Sequence, residues 1–322
     1  MASQTLTVAV AQDYAPRSPA EAGRVITERA AAASAQGAML LAFPETWIPG
    51  YPAWLDVCRD VGIWEHAPVK EAYVAMADGS VRVLDGESDP VMHAFSSAAR
   101  LHGITIVSGV VERVPEGPGF GTLYNALLVF GPDGVLLNHH RKLVPTFTEK
   151  LLWGPGDAAG VRAVPVNGAR IGGLVCWEHW MPLARQALHE SGEDIHVAVW
   201  PSVKDVHLLA SRHYAFEGRC WVLAAGLLMR AHELPDGLEP KPELVSSRDQ
   251  LVLRGGSAII APDGEVVAGP VYDERALLVA EVDLSRARAE RMTLDTGGHY
   301  HRPDQLQLLR HPAAREPRTS RA

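Results

Sequence analysis

Cysteine is scarce in this chain: Cys58, Cys176 and Cys220 are the only three in 322 residues. An odd, scattered set argues against a disulfide framework, and no pair has the CxxC spacing of a structural zinc site. At least one thiol is free, and a free thiol is either a packing residue or a reactive group. Long apolar runs are lacking as well. None approaches a bilayer span, and Met1 to Leu6 has no charged and apolar leader pattern. No membrane partner is therefore expected, and the expected location is the cytoplasm. Basic excess is absent too: 30 Lys and Arg stand against 38 Asp and Glu, a net charge of −8. Nucleic-acid binding runs on phosphate neutralisation and is not expected of such a chain. The GxxxxGK[ST] phosphate loop, the HExxH zinc helix and the GxSxG serine elbow are all missing, as is any repeat of solenoid length.

What is present reads as alternating short strands and helices. Apolar strands are predicted at Leu6 to Ala11, Ala38 to Phe43, Ile104 to Val111, Arg170 to Cys176, Ile195 to Trp200, Trp221 to Leu228 and Ala276 to Val282. Helices are predicted at Ala20 to Gln36, Pro90 to His102, Pro182 to His189, Val206 to Arg219 and Leu284 to Arg291, the first two closed by Gly37 and Gly103. Hairpins are expected over Leu123 to Lys142, turning at Gly131-Pro132-Asp133-Gly134, and over Ser257 to Gly269, turning at Pro262-Asp263-Gly264. The result is an α/β chain with mixed sheets covered by helices. Residues 1–310 form one expected domain. Ala231 to Arg254 is expected as a surface loop and 311–322 as a mobile tail.

Three segments carry candidate chemistry. Cys176 ends a strand shortly before a helix beginning near Met181-Pro182. That position exposes a side chain at the sheet's carboxyl edge, near a helix N-terminus that favours thiolate. The same thiol can equally be a packed core residue. Glu45 sits where a strand meets the Pro, Gly and aromatic-rich stretch Pro44 to Trp54. A carboxylate in such a partly apolar cleft has its pKa raised toward that of a useful base, although a solvated loop glutamate fits the pattern as well. Lys142, after His139-His140-Arg141, is either a catalytic cation or a strand-end surface lysine.

Taken together, Phe43-Pro44-Glu45-Thr46-Trp47-Ile48-Pro49-Gly50-Tyr51-Pro52, His140-Arg141-Lys142-Leu143-Val144-Pro145-Thr146-Phe147-Thr148-Glu149 and Leu174-Val175-Cys176-Trp177-Glu178-His179 resemble the three signature regions of the nitrilase family, in order and spacing. Trp153 to Asp157, Ser211 to Cys220 and Gly298 to Asp304 resemble it further, so the likeness runs from Thr5 to about Leu309. The resemblance implies a four-layer αββα sandwich and a Glu-Lys-Cys triad. Glu45, Lys142 and Cys176 fall on the triad positions, and Glu149 on a second glutamate that positions the lysine. Cys-Trp-Glu followed by His resembles true nitrilases more than amidases or carbamoylases, which points to an organic nitrile as the small-molecule substrate.

The chemistry expected from this reading is thiol attack on the nitrile carbon, a thioimidate, loss of ammonia, a thioester and release of the acid. It calls for no metal and no organic cofactor. Trp177, Glu178, His179, Tyr51, Trp54 and Trp200 are candidate substrate-binding residues, with Trp47 a further candidate; aromatic walls favour an aromatic or arylaliphatic nitrile. Cys58 and Cys220 are expected to be structural. The resemblance also implies a homodimer pairing through Leu183 to Ser191 and Val206 to Arg219, with helical spirals as a larger possibility. An amidase or carbamoylase, a cyanide-degrading nitrilase and a non-catalytic scaffold remain the alternatives.

Overall fold

The computed structural model describes residues 5–310; the tail expected at 311–322 lies outside them. The first half contains β1 (Thr5–Gln12), α1 (Pro19–Ala35), β2 (Ala38–Ala42), the short α2 (Trp54–Val57), α3 (Ala67–Gly79), α4 (Pro90–His102), β3 (Thr105–Arg113), β4 (Leu123–Phe130) and β5 (Leu136–Arg141). The second contains β6 (Val164–Val166), β7 (Ala169–Val175), α5 (Pro182–Glu190), β8 (Ile195–Trp200), α6 (Asp205–Gly218), β9 (Trp221–Gly226), β10 (Leu228–Arg230), β11 (Leu251–Ile260), β12 (Val266–Tyr272), β13 (Ala276–Asp283) and α7 (Leu284–Glu290). Local chemistry sets many of these boundaries. Asp89 accepts hydrogen bonds from the Val91 and Met92 N–H groups to start α4, Pro90 occupies its first turn, and Gly103 ends it at φ 60°. Ser18 caps α1 in the same manner.

Two sheets result. One has the order β13-β1-β2-β3-β4-β5, with β1, β2 and β3 parallel and the rest antiparallel. The other runs β10-β11-β9-β8-β7-β6, with β7, β8 and β9 parallel and β12 paired to β11. Strand periodicity sorts the side chains. Val8, Val10, Leu40, Ala42, Val107 and Leu127 pack against the second sheet in one core. The alternate residues Ala9, Ala11, Leu41, Phe43 and Ile106 join Ile26 of α1 and Phe95 of α4 in another. Burial on both faces is why these strands read as continuous apolar runs. Helices α1 and α4 cover the first sheet and α6 the second, which is the αββα sandwich expected from the family resemblance. Among the described residues no helix is long and apolar enough to cross a membrane.

The structure corrects three local readings. Helix α3 has no counterpart in the sequence reading: it lacks a side-chain cap and buries only Ala72 and Met76, so its pattern is faint. The stretch expected as a loop to Arg254 is already strand from Leu251, which lengthens the second hairpin. Within that stretch Ala231, Leu234 and Leu238 are buried against Trp54, Leu55 and Cys58, so the loop is docked rather than loose.

Candidate active site

Three strands end at the same place. β2 runs into Pro44-Glu45, β5 into Lys142 and β7 into Cys176. The Glu45 turn is laid directly on β3. The Gly109 N–H donates to the Pro44 carbonyl, and a side chain at Gly109 would overlap the Glu45 backbone. Only glycine permits that approach. Lys142 is fixed through its own N–H, which donates to the Asn125 carbonyl on β4 at 2.8 Å. Glu149 lies in the 3-10 turn Phe147–Leu151, where its carboxylate accepts from the Thr146 N–H at 2.7 Å.

The side chains converge in a buried cluster. The Lys142 ammonium donates to Glu149 Oε2 at 2.7 Å and to Glu45 Oε1 at 3.3 Å. Asn125 Nδ2 donates to Glu45 Oε1 at 2.7 Å, and the Tyr51 hydroxyl donates to Glu149 Oε1 at 3.0 Å. The Cys176 sulfur and one oxygen each from Glu45 and Glu149 lie within 4.8 Å of one another. Among the described residues Glu45 Oε2 has no hydrogen-bond partner, which leaves it free to take a proton. Two carboxylates and a thiol are also a possible metal-ligand set, but the Lys142 ammonium already fills the cation's place between the carboxylates.

Burial shapes the protonation states. It raises Glu45 to about 7, against the pull of the Lys142 charge. It also pushes the Cys176 thiol well above its ordinary value, and the Glu45 charge pushes it further. The helix expected near Met181-Pro182 is there, beginning at Pro182, but the exposure expected of Cys176 is corrected: it is 3% exposed, and burial disfavours the thiolate. For Lys142, burial works toward neutrality, but Glu45, Cys176 and Glu149 outweigh it and hold the ammonium protonated. The resting arrangement is a thiol facing a carboxylate close to its own titration point, with a fixed cation alongside.

Cys176 adopts φ 53°, a left-handed conformation that costs a non-glycine residue and persists only where its surroundings enforce it. Part of the enforcement is Glu178. Its carboxylate accepts from the Val175 N–H at 2.8 Å, the Leu143 N–H at 2.7 Å and His140 Nε2 at 3.0 Å. One buried side chain thus ties the Cys176 turn to the Lys142 segment.

The carbon-nitrogen hydrolase family profile matches residues 7–292. Among curated proteins, "Nitrilase 2" from an unknown prokaryotic organism is 39% identical over 276 residues, covering 84% of this chain and 81% of its own length. A nitrilase from Paraburkholderia phymatum is 36% identical over 286 residues, covering 86% and 77%. The chain belongs to the carbon-nitrogen hydrolase family. Its relatives place this hydrolase on the nitrilase branch. A solved carbon-nitrogen hydrolase from Helicobacter pylori G27 superposes with a TM-score of 0.70 at 18% identity, covering 94% of this chain and 97% of that one; this likeness bears on the fold alone.

A cleft of about 770 Å³ opens over Cys176 in this hydrolase. Trp177, Trp180, Phe147, Val144, Met181 and Val206 line it, with Tyr51 and Glu149 at its floor. Trp177 is 54% exposed and packs on Trp180 with ring centroids 5.1 Å apart. Of the candidate pocket residues, Trp177 and Tyr51 thus reach the cleft. Trp54, Glu178, His179 and Trp200, expected in the pocket, do not line it, and each is held elsewhere by its own contacts. Trp54 is buried against the 231–238 segment, Glu178 is consumed by its three donors, and His179 stacks on Trp200 beneath the turn at 4.6 Å. Trp47 is buried on Phe43. Sequence reasoning missed Asn125, Phe147 and Trp180. Asn125 gave a signal, a lone amide inside the apolar run Leu123 to Phe130; the other two read as ordinary apolar residues. His140 is fully buried and is partnered there by Glu178.

Proposed function

We propose that this protein is a nitrilase that hydrolyses an organic nitrile, with two waters, to a carboxylic acid and ammonia, and that Glu45, Lys142, Glu149 and Cys176 carry the reaction. The observation that supports it most is the buried cluster of a thiol, an ammonium and two carboxylates, whose Cys176 and Glu149 line an apolar cleft.

In this reading Glu45 takes the Cys176 proton as sulfur attacks the nitrile carbon. Proton delivery from Glu45 to nitrogen gives a neutral thioimidate, and the Lys142 ammonium stabilises the charge that develops there. Glu45 then deprotonates a water that adds to the thioimidate carbon. Collapse of that adduct, with nitrogen protonated, expels ammonia and leaves a thioester. A second water, activated in the same way, cleaves the carbon–sulfur bond to release the acid and return the thiol. Glu149 keeps Lys142 in place, and Tyr51 and Thr146 hold Glu149. The Trp177–Trp180 pair and Phe147 favour an aromatic or arylaliphatic substrate, because flat aromatic faces stack.

The test is ammonia release from paired nitriles and amides, with the wild type and Cys176→Ala. Turnover of nitriles well above amides, lost in the variant, is expected. Amide-only turnover would place the chain with the amidases. We also infer a homodimer: α5 and α6 expose Leu183, Leu209 and Phe216, a face suited to a second copy, and sedimentation-velocity measurement of mass in solution checks it.

A further inference from the structure

Behind the nucleophile turn, away from the cleft, lies a second buried polar cluster that the chemistry above does not use. His179 Nδ1 lies 2.7 Å from the Cys176 carbonyl oxygen. His179 Nε2 lies 3.0 Å from His196 Nε2, and His196 Nδ1 lies 2.9 Å from Glu193 Oε2. Glu193 Oε1 also accepts from the Tyr214 hydroxyl of α6. The two histidines and Glu193 are at most 2% exposed. Gly172 on β7 makes room for the carboxylate, since any side chain there would overlap Glu193 Oε2.

The geometry fixes the proton count. A backbone carbonyl only accepts, so His179 Nδ1 carries hydrogen. The Glu193 carboxylate accepts from the Tyr214 hydroxyl at Oε1 and faces His196 Nδ1 at Oε2, and an ionised carboxylate only accepts. His196 Nδ1 therefore carries hydrogen. The two Nε2 atoms face each other, and one hydrogen must lie between them for a bond to exist. Three hydrogens on two rings give the pair one positive charge, matched by Glu193. Beyond it, the Arg185–Glu217 pair and His189 surround the cluster. Trp200 stacks on His179 and Tyr214 on His196, so neither ring is free to turn.

We propose that His179 and His196 share one proton as a buried, singly charged dyad that positions the nucleophile, with His179 clamping the Cys176 carbonyl so that the residue stays in its left-handed conformation. These are positioning residues, acting through the backbone of Cys176. The inference rests on Cys176 as nucleophile and assigns His179 a task other than touching substrate. Asparagine at 179 places Nδ2 where the histidine places Nδ1, so it retains the clamp without the link to His196.

The experiment compares ammonia release by wild type, His179→Asn, His179→Leu and Cys176→Ala on the best nitrile of the panel, with melting curves for each. His179→Leu is expected to lower kcat about a hundredfold with KM nearly unchanged, the effect of a misplaced reacting group. His179→Asn is expected to recover most of that loss. A folded His179→Leu with wild-type kcat, or one whose defect is in KM alone, would overturn the clamp. Activity surviving in Cys176→Ala would overturn the underlying reading instead. Should His179→Leu not fold, nitrogen-15 histidine spectra of wild type and Cys176→Ala decide: three slowly exchanging ring N–H signals from the dyad are expected, and two would refute the shared proton.

Discussion

Lys142 donates to Glu149 at 2.7 Å but to Glu45 at 3.3 Å, so the ammonium is anchored by one carboxylate and only leans on the other. A cation that must stabilise charge at a reacting nitrogen is best held by a group that does not itself react. The anchor is rigid in turn, because Glu149 is gripped by Thr146 and Tyr51. Replacing Lys142 with Met would leave two carboxylates buried and unpaired. A loss of roughly 3–5 kcal/mol in stability is expected, together with loss of turnover, checked by denaturant melts and ammonia assay.

The Tyr51→Phe variant removes one donor to Glu149 and little volume. A kcat reduced by about tenfold is expected, with a stability change near 1 kcal/mol. Steady-state kinetics and a thermal melt separate the two effects, and an unchanged kcat would show that Thr146 suffices as the grip.

Glu45 lies at about 7, raised by burial, so its protonated form dominates below that pH and cannot take the thiol proton. Turnover is expected to rise between pH 6 and 8 with a midpoint at about 7; the midpoint belongs to the coupled cluster with Lys142 and Glu149. The same raised value makes the folded state bind more protons than the unfolded one between 4.5 and about 7. Glu45 therefore makes stability fall as pH rises through that window. Glu45→Gln should abolish turnover and remove this decline, read from melting temperature against pH.

Glu193 shows the opposite linkage. Its folded value of about 2 lies below the ordinary 4.5, so its contribution to stability is complete above 4.5 and is lost as pH falls toward 2. A Glu193→Gln variant is expected to be less stable than wild type at pH 7, with the difference shrinking in acid. Equal melting temperatures at pH 7 would contradict the ion pair with His196.

Trp177 presents half its surface to the cleft and makes little of the core. Trp177→Ala is expected to cost little stability and to lower kcat/KM for aromatic nitriles about tenfold relative to small aliphatic ones. A uniform loss across the panel would mean that the residue shapes the nucleophile turn rather than substrate choice.

Much of this was legible in the sequence. Strands buried on both faces leave unbroken apolar runs, and capped helices leave Ser18, Asp89-Pro90 and Gly103, so the α/β alternation could be read from period and punctuation, while the αββα layering came from the family resemblance. The family resemblance of the three signature segments placed Glu45, Lys142 and Cys176; local pattern set each just beyond a strand but left a packing or surface role open. What tertiary structure alone decided is which aromatic and polar residues meet. Trp200 and Trp177 look alike in sequence, yet one is sealed behind the nucleophile and the other lines the cleft, because strand register and the turn at Cys176 set their directions. Asn125 meets Glu45, Glu178 meets His140 and Leu143, and His196 meets His179 across long stretches of chain, contacts that only the folded protein provides. Burial moves Glu45 up, as the apolar context of Pro44 to Trp54 suggested, but the partners that hold Glu193 down come together only in the assembled layers.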